Sequence, residues 1–346
     1  MKPTRTIWAV ESYRAGETSQ ILGLAEGLNR ALGWNVISKC LDYNRLAGSA
    51  ALCWSVSLSG ISFQSRQILT PPWPDLLIVA GARNEPIARW IKRQSGGLTR
   101  VAFLGRTWAP TSRFDLLVTT PQYRVVAADN VLENSTTLHR IHPDRLAQAR
   151  ADWQTTFAKL PSPRTVVLIG GDSGPYALRA NTVQKLAATL HERAAQDAGS
   201  ILVTTSSRTH HDAVHALGRA MPDAWCYCWR ANDPDNPYFG LLAWADHIVV
   251  TSDSIAMISE ALAVGVPVSL FDLAEHADAT LKTRAYQWLM RLGPRRLTRD
   301  IGVAHERLIQ TGAITRLGNA WDAQSSSDNS ALARTITRIE ALFQDE

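Results

Sequence analysis

Residues 165–174 read Thr-Val-Val-Leu-Ile-Gly-Gly-Asp-Ser-Gly, an apolar run that leads directly into three glycines within five residues. A short, continuous apolar run with β-branched residues predicts a strand that is buried on both faces, as in a parallel sheet. Glycines at its carboxyl end predict a tight loop without side chains, and doubly wound α/β proteins bind ligands in such loops. The stretch therefore predicts that a doubly wound domain begins here.

Both halves of the chain alternate apolar runs with helical patterns. We predict strands at Thr6–Val10, Asp75–Ala80, Val101–Leu104, Phe114–Thr119, Thr165–Ile169, Ser200–Thr205, Trp225–Trp229, His247–Thr251 and Pro267–Leu270. We predict helices at Thr18–Leu32, Pro86–Gln94, Ala147–Leu160, Arg179–Gln196, His211–Ala220, Ser254–Val264 and Ala331–Phe343. Apolar strands separated by helices predict two consecutive doubly wound α/β domains.

The sequence Pro161-Ser162-Pro163 interrupts this alternation and predicts the linker between the domains. We therefore place the first domain at residues 1–160 and the second at residues 161–346. The last predicted helix is amphipathic, so its apolar face is available to pack back on the first domain.

Composition excludes several classes of protein. Apolar residues make up 45% of the 346 residues and charged residues 19%, which argues against a disordered or fibrous chain. No run approaches the ~20 apolar residues that cross a bilayer. The four cysteines are too few for a disulfide framework, and Cys226-Tyr227-Cys228 lacks the second pair of a zinc site. We therefore expect a cytoplasmic protein without a metal site.

Positive charge is concentrated in the first half of the chain. Residues 1–160 hold 19 Lys+Arg against 11 Asp+Glu, whereas residues 161–346 hold 17 against 20. This asymmetry predicts different partners for the two halves, although scattered, solvated arginines would give the same counts. Basic and aromatic residues do not interleave as they do in nucleic-acid-binding proteins, so no nucleic-acid partner is expected.

Two strand-end loops of the second half are rich in small and hydroxyl residues. The residues that we single out are Gly170, Gly171 and Ser173 in the first loop and Ser206, Arg208 and Thr209 in the second. Backbone N–H groups, hydroxyls and an arginine at such positions suit a phosphate, a sugar or a diphosphate. Tight turns and a helix N-cap are the structural alternatives.

The most specific segment is 251–261, where a predicted strand turns into a helix. Ser252, Asp253 and Ser254 form the turn and the helix cap, and Met257 and Glu260 follow three residues apart on one helix face. A glutamate carboxylate can accept both hydroxyls of a ribose, while the helix start can bind its phosphates. Helix capping alone would explain the serine at the cap but not the spacing of the glutamate.

Motifs of other enzyme classes are missing from the sequence. It contains no Gly-x-Ser-x-Gly elbow, no His-Glu-x-x-His and no carboxylate-rich metal loop. His210 and His211 stand at a predicted helix start, where a cap is more common than a metal site. Asp233-Pro234-Asp235 is followed by Pro237, which is more typical of a turn than of a metal-binding Asp-x-Asp motif.

Taken together, these segments resemble the family named for plant mitochondrial fission proteins, the ELM-type family, whose bacterial members are described as glycosyltransferases. The resemblance is carried by residues 16–26, 75–83, 129–131, 138–140, 168–171, 206–209 and 251–261. Gly16 and Gln20 match the N-terminal motif of the family. Glu17 stands where the family usually has His, and Gln122-Tyr123 stands where it usually has His-Asp.

The resemblance implies a GT-B-like fold, in which two Rossmann-like domains face a cleft, and a metal-independent glycosyl transfer. The donor would be a nucleotide-sugar held in the second domain, with Gly16 and Gln20 contributing to its site and no further cofactor. Glu17 would be the catalytic base for the acceptor hydroxyl. The two departures favour the alternative of a catalytically inactive adaptor. An epimerase is not expected, because a dinucleotide fingerprint and a Tyr-x-x-x-Lys pair are missing.

A membrane surface is the last partner that the sequence suggests. Residues 46–68 contain Leu52, Cys53, Trp54 and Phe63 and are flanked by basic residues. Such a segment suits a patch that lies peripherally on an anionic membrane, here the inner membrane, next to a lipid-linked or lipopolysaccharide-type acceptor. An ordinary covering loop is the alternative.

Overall fold

The computed structural model describes residues 4–49, 53–173, 176–273, 288, 299–318 and 330–344. Contacts divide these residues into two units. The first unit takes residues 4–140, residue 299 and residues 330–344; the second takes the others, from 141 to 318. Within the described residues, no helix has the length and apolar character that crossing a membrane requires.

The first unit is built on a six-stranded parallel sheet with the strand order β2-β1-β3-β4-β5-β6. Its strands are β1 (Thr6–Val10), β2 (Asn35–Lys39), β3 (Leu76–Ala80), β4 (Arg100–Leu104), β5 (Leu116–Thr119) and β6 (Val131–Glu133).

The second unit is built on another six-stranded parallel sheet, with the order β12-β11-β10-β7-β8-β9. Its strands are β7 (Arg164–Leu168), β8 (Ser200–Thr204), β9 (Trp225–Tyr227), β10 (His247–Thr251), β11 (Val268–Phe271) and β12 (Thr315–Arg316).

The helices lie mainly between these strands in the chain. In order they are α1 (Ala15–Leu32), α2 (Phe63–Gln67), α3 (Glu85–Gln94), α4 (Pro143–Asp152), α5 (Gln154–Phe157), α6 (Ala180–Asp197), α7 (His211–Ala220), α8 (Tyr238–Trp244), α9 (Ile255–Val264), α10 (Ile301–Gln310) and α11 (Ser330–Ala341).

Each sheet carries an apolar core on both faces. In β1, Ile7 and Ala9 pack with α1, whereas Trp8 and Val10 pack with α3 on the other face. In the second sheet, Val166 and Leu168 belong to the core with α8 to α10, and Val167 belongs to the core with α6 and α7. Side chains of a strand alternate between the two faces, so both faces of each sheet are buried. The predicted doubly wound α/β fold is confirmed.

Both strand orders contain a point where the chain reverses its direction across the sheet. In the first sheet, β2 and β3 lie on opposite sides of β1; in the second, β8 and β10 lie on opposite sides of β7. Connections leave these neighbouring strands in opposite directions, which opens a crevice at their carboxyl ends where ligands of such folds bind. The topology therefore selects two crevices, at β1/β3 and at β7/β10.

The boundary between the units lies earlier in the chain than the proline-rich segment at 161–163. Helix α4 begins at Pro143, with His142 as its cap, and belongs to the second unit. There Trp244 Nε1 donates to the Arg150 carbonyl at 2.9 Å, and Trp153 packs against Gly240. These contacts attach the helix to the unit that follows it.

Helix α11 belongs to the first unit, although the second unit precedes it in the chain. Its buried Ala331 and Ile339 lie in the same core as the apolar face of α1. Asn134 Nδ2 donates to Thr335 Oγ1 at 3.2 Å, and Phe343 packs edge-on against Trp34. The helix thus covers one face of the first sheet.

Candidate functional site

Three strand-end loops of the second unit meet at the β7/β10 crevice. The loop after β7 donates Gly170 N–H to Thr251 Oγ1, at the end of β10, over 2.8 Å. The loop after β8 reaches the same place, since Thr209 Oγ1 donates to the Gly170 carbonyl and Asp172 N–H donates to the Arg208 carbonyl. The topology therefore brings together the loops that the sequence analysis singled out.

Asp253 is the centre of this network, which we call the Asp253 network. Its side chain is fully buried, and Oδ1 accepts a hydrogen bond from Thr251 Oγ1 at 2.7 Å. Oδ2 accepts one from Gly171 N–H at 3.1 Å and lies 2.8 Å from Nη2 of Arg208. A buried carboxylate needs such compensation, so these partners hold the three loops in one arrangement.

The glycines of the first loop are required by this packing. A Cβ on Gly170 would overlap the Asp253 carboxylate, and a Cβ on Gly171 would overlap the Arg208 backbone. What approaches the glycines is thus the protein itself, and their N–H groups are used inside the Asp253 network. Ser173 and Tyr176 exchange two backbone hydrogen bonds, and Gly174, the third glycine, lies outside the described residues.

Most of the predicted hydroxyl residues also bond within the protein. Ser206 N–H donates to Thr209 Oγ1 at 2.9 Å, and Ser206 Oγ accepts from Arg208 N–H. Ser252 Oγ donates to Asp272 and accepts from Leu273 N–H. These groups shape the loops before any ligand binds.

Helix α9 begins at the crevice. Ser254 is its N-cap and accepts a hydrogen bond from Met257 N–H, as predicted. The first turn of a helix presents backbone N–H groups and the positive end of the helix dipole, which suits an anion. Met257, partly buried in that turn, packs against the apolar core.

Arg208 is the cation of the site. Its side chain remains 36% exposed although it pairs with the buried Asp253. This pair engages one terminal nitrogen, and a guanidinium carries five N–H donors in all, so Arg208 retains the capacity to bind a second anion. The sequence identified this residue; its attachment to the aspartate is what the structure adds.

Glu260 lies on α9, one turn beyond Met257, and is 9% exposed. Its Oε2 accepts a hydrogen bond of 2.5 Å from the hydroxyl of Tyr238 on α8. Burial, and then the neighbouring carboxylate, raise the pKa of Tyr238 well above its usual value, so the phenol remains a donor. No sequence pattern singles out Tyr238, because α8 follows a turn rather than a predicted strand.

The β1/β3 crevice of the first unit holds the predicted catalytic base. Glu17 Oε2 accepts from Ser12 Oγ at 2.5 Å, and Oε1 lies 3.3 Å from Nη1 of Arg14. Gly81, at the end of β3 with a φ of +82°, lies directly under this carboxylate. Glu17 thus occupies the crevice, with both oxygens engaged by neighbours close in the chain.

Helix α1 starts earlier than predicted, at Ala15, with Arg14 in the cap position. Gly16 therefore lies inside the first turn of the helix, and Gln20 Nε2 donates to its carbonyl at 3.0 Å. Thr18, the first residue of the predicted helix, bonds to the backbone of Ser12 through its hydroxyl.

A neutral polar cluster in the same crevice was not anticipated. Asn84 is 1% exposed, and its Nδ2 donates to the Ala80 and Glu11 carbonyls. The Tyr43 hydroxyl donates to Asn84 Oδ1 at 2.6 Å, and burial raises the pKa of this tyrosine. An asparagine just before a helix indicates an N-cap, but the Asn84 side chain makes no cap hydrogen bond, so the sequence pattern does not predict this role.

The remaining polar motifs have structural roles. Asp233 accepts from the Tyr227 hydroxyl and from Asp235 N–H, which is the predicted turn. Gln122, at one departure from the family pattern, is buried and accepts from Arg299 Nε at 3.1 Å. Throughout the described ranges, no group of three or more His, Cys, Asp or Glu side chains could hold a metal ion.

Comparison with known sequences identifies relatives. The profile of the family described as Mitochondrial fission ELM1 matches residues 15–338, which confirms the resemblance carried by the motifs. Mitochondrial fission protein ELM1 of Arabidopsis thaliana is 29% identical over 234 residues, covering 61% of this chain and 54% of that protein. The match thus spans about half the length of this curated relative.

Comparison with solved structures identifies the fold. The S. aureus MnaA–UDP structure has a TM-score of 0.51 at 10% identity, covering 98% of this chain and 97% of that one. UDP-GlcNAc 2-epimerase from Methanocaldococcus jannaschii has a TM-score of 0.51 at 12% identity, covering 97% and 99%. At such low sequence identities, the structural similarity shows the fold alone. That fold is GT-B-like, as the family resemblance implied.

Proposed function

The chain belongs to the mitochondrial fission ELM1 family, and on that premise we propose that it is a glycosyltransferase whose donor is a nucleotide-sugar. The observation that carries the proposal is the β7/β10 crevice, where the Asp253 network directs Arg208 toward the start of α9. The solved structures of this fold include one bound to UDP and one described as acting on UDP-GlcNAc, which supports a nucleotide-sugar as the ligand.

Each part of the donor has a group of matching chemistry in the crevice. Arg208 and the N–H groups at the start of α9 bind the diphosphate. Glu260, held by Tyr238, accepts the hydroxyls of the ribose. Arg208 and these N–H groups stabilise the leaving diphosphate without a metal. Removing one such hydrogen-bond donor costs about 3–4 kcal/mol of transition-state stabilisation in comparable sites.

Glu17 is the proposed base for the acceptor hydroxyl. Its place at the β1/β3 crevice supports this role, because ligands of such sheets bind there. The acceptor is of a lipid-linked or lipopolysaccharide type, in keeping with an apolar surface on the same unit. Trp54, Phe63 and Leu46 on that surface are 47%, 72% and 59% exposed, whereas Cys53 and Ile61 are buried. Leu52 lies outside the described residues.

A second candidate function is nucleotide-sugar binding without turnover. The observation that favours it is the engagement of both Glu17 oxygens, by Ser12 and Arg14, because these neighbours occupy the oxygens that an acceptor hydroxyl would have to contact. The two candidates share the donor site and differ in the release of nucleoside diphosphate.

The donor site is tested by calorimetric titration with a panel of nucleotide-sugars that includes UDP-GlcNAc. Glu260→Gln keeps the acceptor for Tyr238 but removes the charge, and we expect at least a tenfold weaker affinity, since a hydrogen bond to a charged group contributes about 1.5–3 kcal/mol. Glu192→Gln, on the exposed surface of α6, is the matched control. Equal affinity of all three proteins for every sugar would overturn the donor site.

Turnover is tested on the sugar that binds. Release of nucleoside diphosphate, lost in Glu17→Gln with binding retained, supports the transferase. Binding without release supports the second candidate. A sugar that changes configuration while still attached to its nucleotide would support an epimerase instead, which the missing dinucleotide motif had argued against.

Membrane association is tested by co-sedimentation with anionic vesicles. We expect the Trp54→Ser, Phe63→Ser double variant to bind at least tenfold more weakly than the wild type, since burying each ring contributes about 1.5–3 kcal/mol. Leu98→Ser is the control, because Leu98 is 81% exposed at the other end of the sheet, before β4. Salt should weaken the binding. Identical sedimentation of all variants would make a soluble acceptor the better proposal.

A further inference from the structure

The first turns of α7 carry two histidines that the proposed function does not use. His211 and His215 lie four residues apart, so they share one face of the helix. Both side chains are exposed, and their Nε2 atoms lie 3.1 Å apart with the ring planes at 85°. Two ring nitrogens this close face each other with a proton between them or with a shared cation, because two bare lone pairs repel.

We propose that His211 and His215 together bind a divalent transition-metal ion through their Nε2 atoms. With metal–nitrogen bonds of ~2.0–2.1 Å, the observed separation of 3.1 Å corresponds to an N–metal–N angle of about 98°. This angle lies between those of octahedral and tetrahedral coordination. Because both side chains are exposed, the rings can turn about their own bonds until both lone pairs meet the ion.

The surroundings define the kind of site. His210 is the N-cap, accepting from Asp212 N–H, so it has a separate role. The exposed Asp212 carboxylate offsets the positive end of the helix dipole, which otherwise disfavours a cation. Among the described residues no third ligand joins the pair, so water completes the coordination. Imidazole pairs of this kind favour Cu²⁺, Ni²⁺ and Zn²⁺ over Mg²⁺ and Ca²⁺.

The position of the pair gives the ion a structural consequence. Residue 211 directly follows the loop that carries Ser206, Arg208 and Thr209. An ion that bridges two successive turns fixes the beginning of α7, and therefore fixes the end of this loop. Metal binding at the surface would in this way be coupled to the loop that enters the Asp253 network.

The test is a titration of the full, untagged, chelator-treated chain with Ni²⁺, followed by calorimetry. We expect one ion per chain, and His211→Ala and His215→Ala should each weaken the affinity at least about tenfold, the minimum loss seen when even an outer partner of a metal ligand is removed. His191→Ala, an exposed histidine on α6, is the matched control and should bind as the wild type does. Mg²⁺ should give no binding heat.

The exposed thiols of Cys226 and Cys228 are the competing ligands, so a Cys226→Ser, Cys228→Ser variant is titrated in parallel. Retention of Ni²⁺ by this variant supports the histidine pair, and loss of Ni²⁺ would overturn it. With Cu²⁺, the electron paramagnetic resonance spectrum should show coupling to two imidazole nitrogens, reduced to one in His215→Ala. An unchanged spectrum in that variant would also overturn the proposal.

Discussion

The two crevices of the molecule are built from contacts of different kinds. At β7/β10, interactions between residues far apart in the chain converge on a charge, since Asp253 binds Gly171 and Arg208. At β1/β3, the charged Glu17 forms its hydrogen bond and its ion pair with residues within five positions of itself, and the long-range hydrogen bonds are made by the neutral Asn84. The buried charge of Asp253 holds the loops of the second unit together. In the first unit, Glu17 can be replaced without disturbing the arrangement of the loops.

The largest effect is expected from Asp253→Ala. It leaves Arg208 without its carboxylate partner and the buried Gly171 N–H without an acceptor. The Thr251 hydroxyl keeps only the Leu168 carbonyl, at 3.5 Å. We expect the second unit to lose about 4 kcal/mol, within the range for breaking a buried ion pair. Hydrogen exchange of β7 and β10 measures the loss. Glu17→Ala is the counterpart in the first unit and should lower its stability by about 1 kcal/mol. Equal losses of stability in the two variants would contradict the proposed difference between the two crevices.

The second largest effect is expected at acidic pH, where the second unit should lose stability through His305. His305 on α10 is 4% exposed, and burial lowers its pKa to about 4, the nearby Asp272 opposing this. The unfolded chain takes up its proton near pH 6.5, before the folded one does, so this contribution to stability is lost as the pH falls from 6.5 toward 4. The full loss is roughly 3 kcal/mol. Urea denaturation of the wild type and His305→Leu checks this, and parallel pH profiles would contradict it.

Gly81→Ala tests the first crevice through the backbone. The added methyl group meets the Glu17 carboxylate, and the φ of +82° is unfavourable for alanine. We expect a loss of about 2 kcal/mol, as for other overpacked sites. Part of it should be recovered in the Gly81→Ala, Glu17→Ala double variant, because the carboxylate is then gone. Strict additivity in denaturation experiments would show that the two residues do not touch.

The smallest effect is expected from Tyr43→Phe. This change removes one neutral hydrogen bond to Asn84 and should cost about 1 kcal/mol in the first unit. Exchange rates in β1 and β3 measure it. A loss of stability as large as that of Asp253→Ala would mean that a cluster of neutral hydrogen bonds stabilises the loops as strongly as a buried charge does.

The sequence predicts the central strands well, because burial on both faces gives them unbroken apolar runs. The bounds of β1 and β10 agree with the prediction residue for residue, as do those of α7. The edge strand β2 was missed, since only one side of it is paired and its residues are mainly exposed or half-buried. Helix α4 was placed four residues late, because a histidine is an unusual cap.

The sequence predicts which residues lie at the candidate site better than it predicts what each of them binds. Loops after neighbouring parallel strands must meet at one edge, so residues such as Arg208 and Ser254 could be chosen from the sequence. Their partners could not, because no spacing rule relates residue 171 to residue 253 or Tyr238 to Glu260. The glycines illustrate the difference, since the sequence shows that something approaches them but not that it is the Asp253 carboxylate at Gly170 and the Arg208 backbone at Gly171.

Helix α11 has a consequence for synthesis of the chain. The first sheet is complete once residue 133 has been made, yet the core between it and α1 also contains Ala331 and Ile339. At ~5–20 residues per second, the ribosome needs on the order of 10–40 s more to deliver this helix. During that interval an apolar seam of the nascent first unit faces solvent, so a stalled or shortened chain would offer it to chaperones and to other unfinished chains.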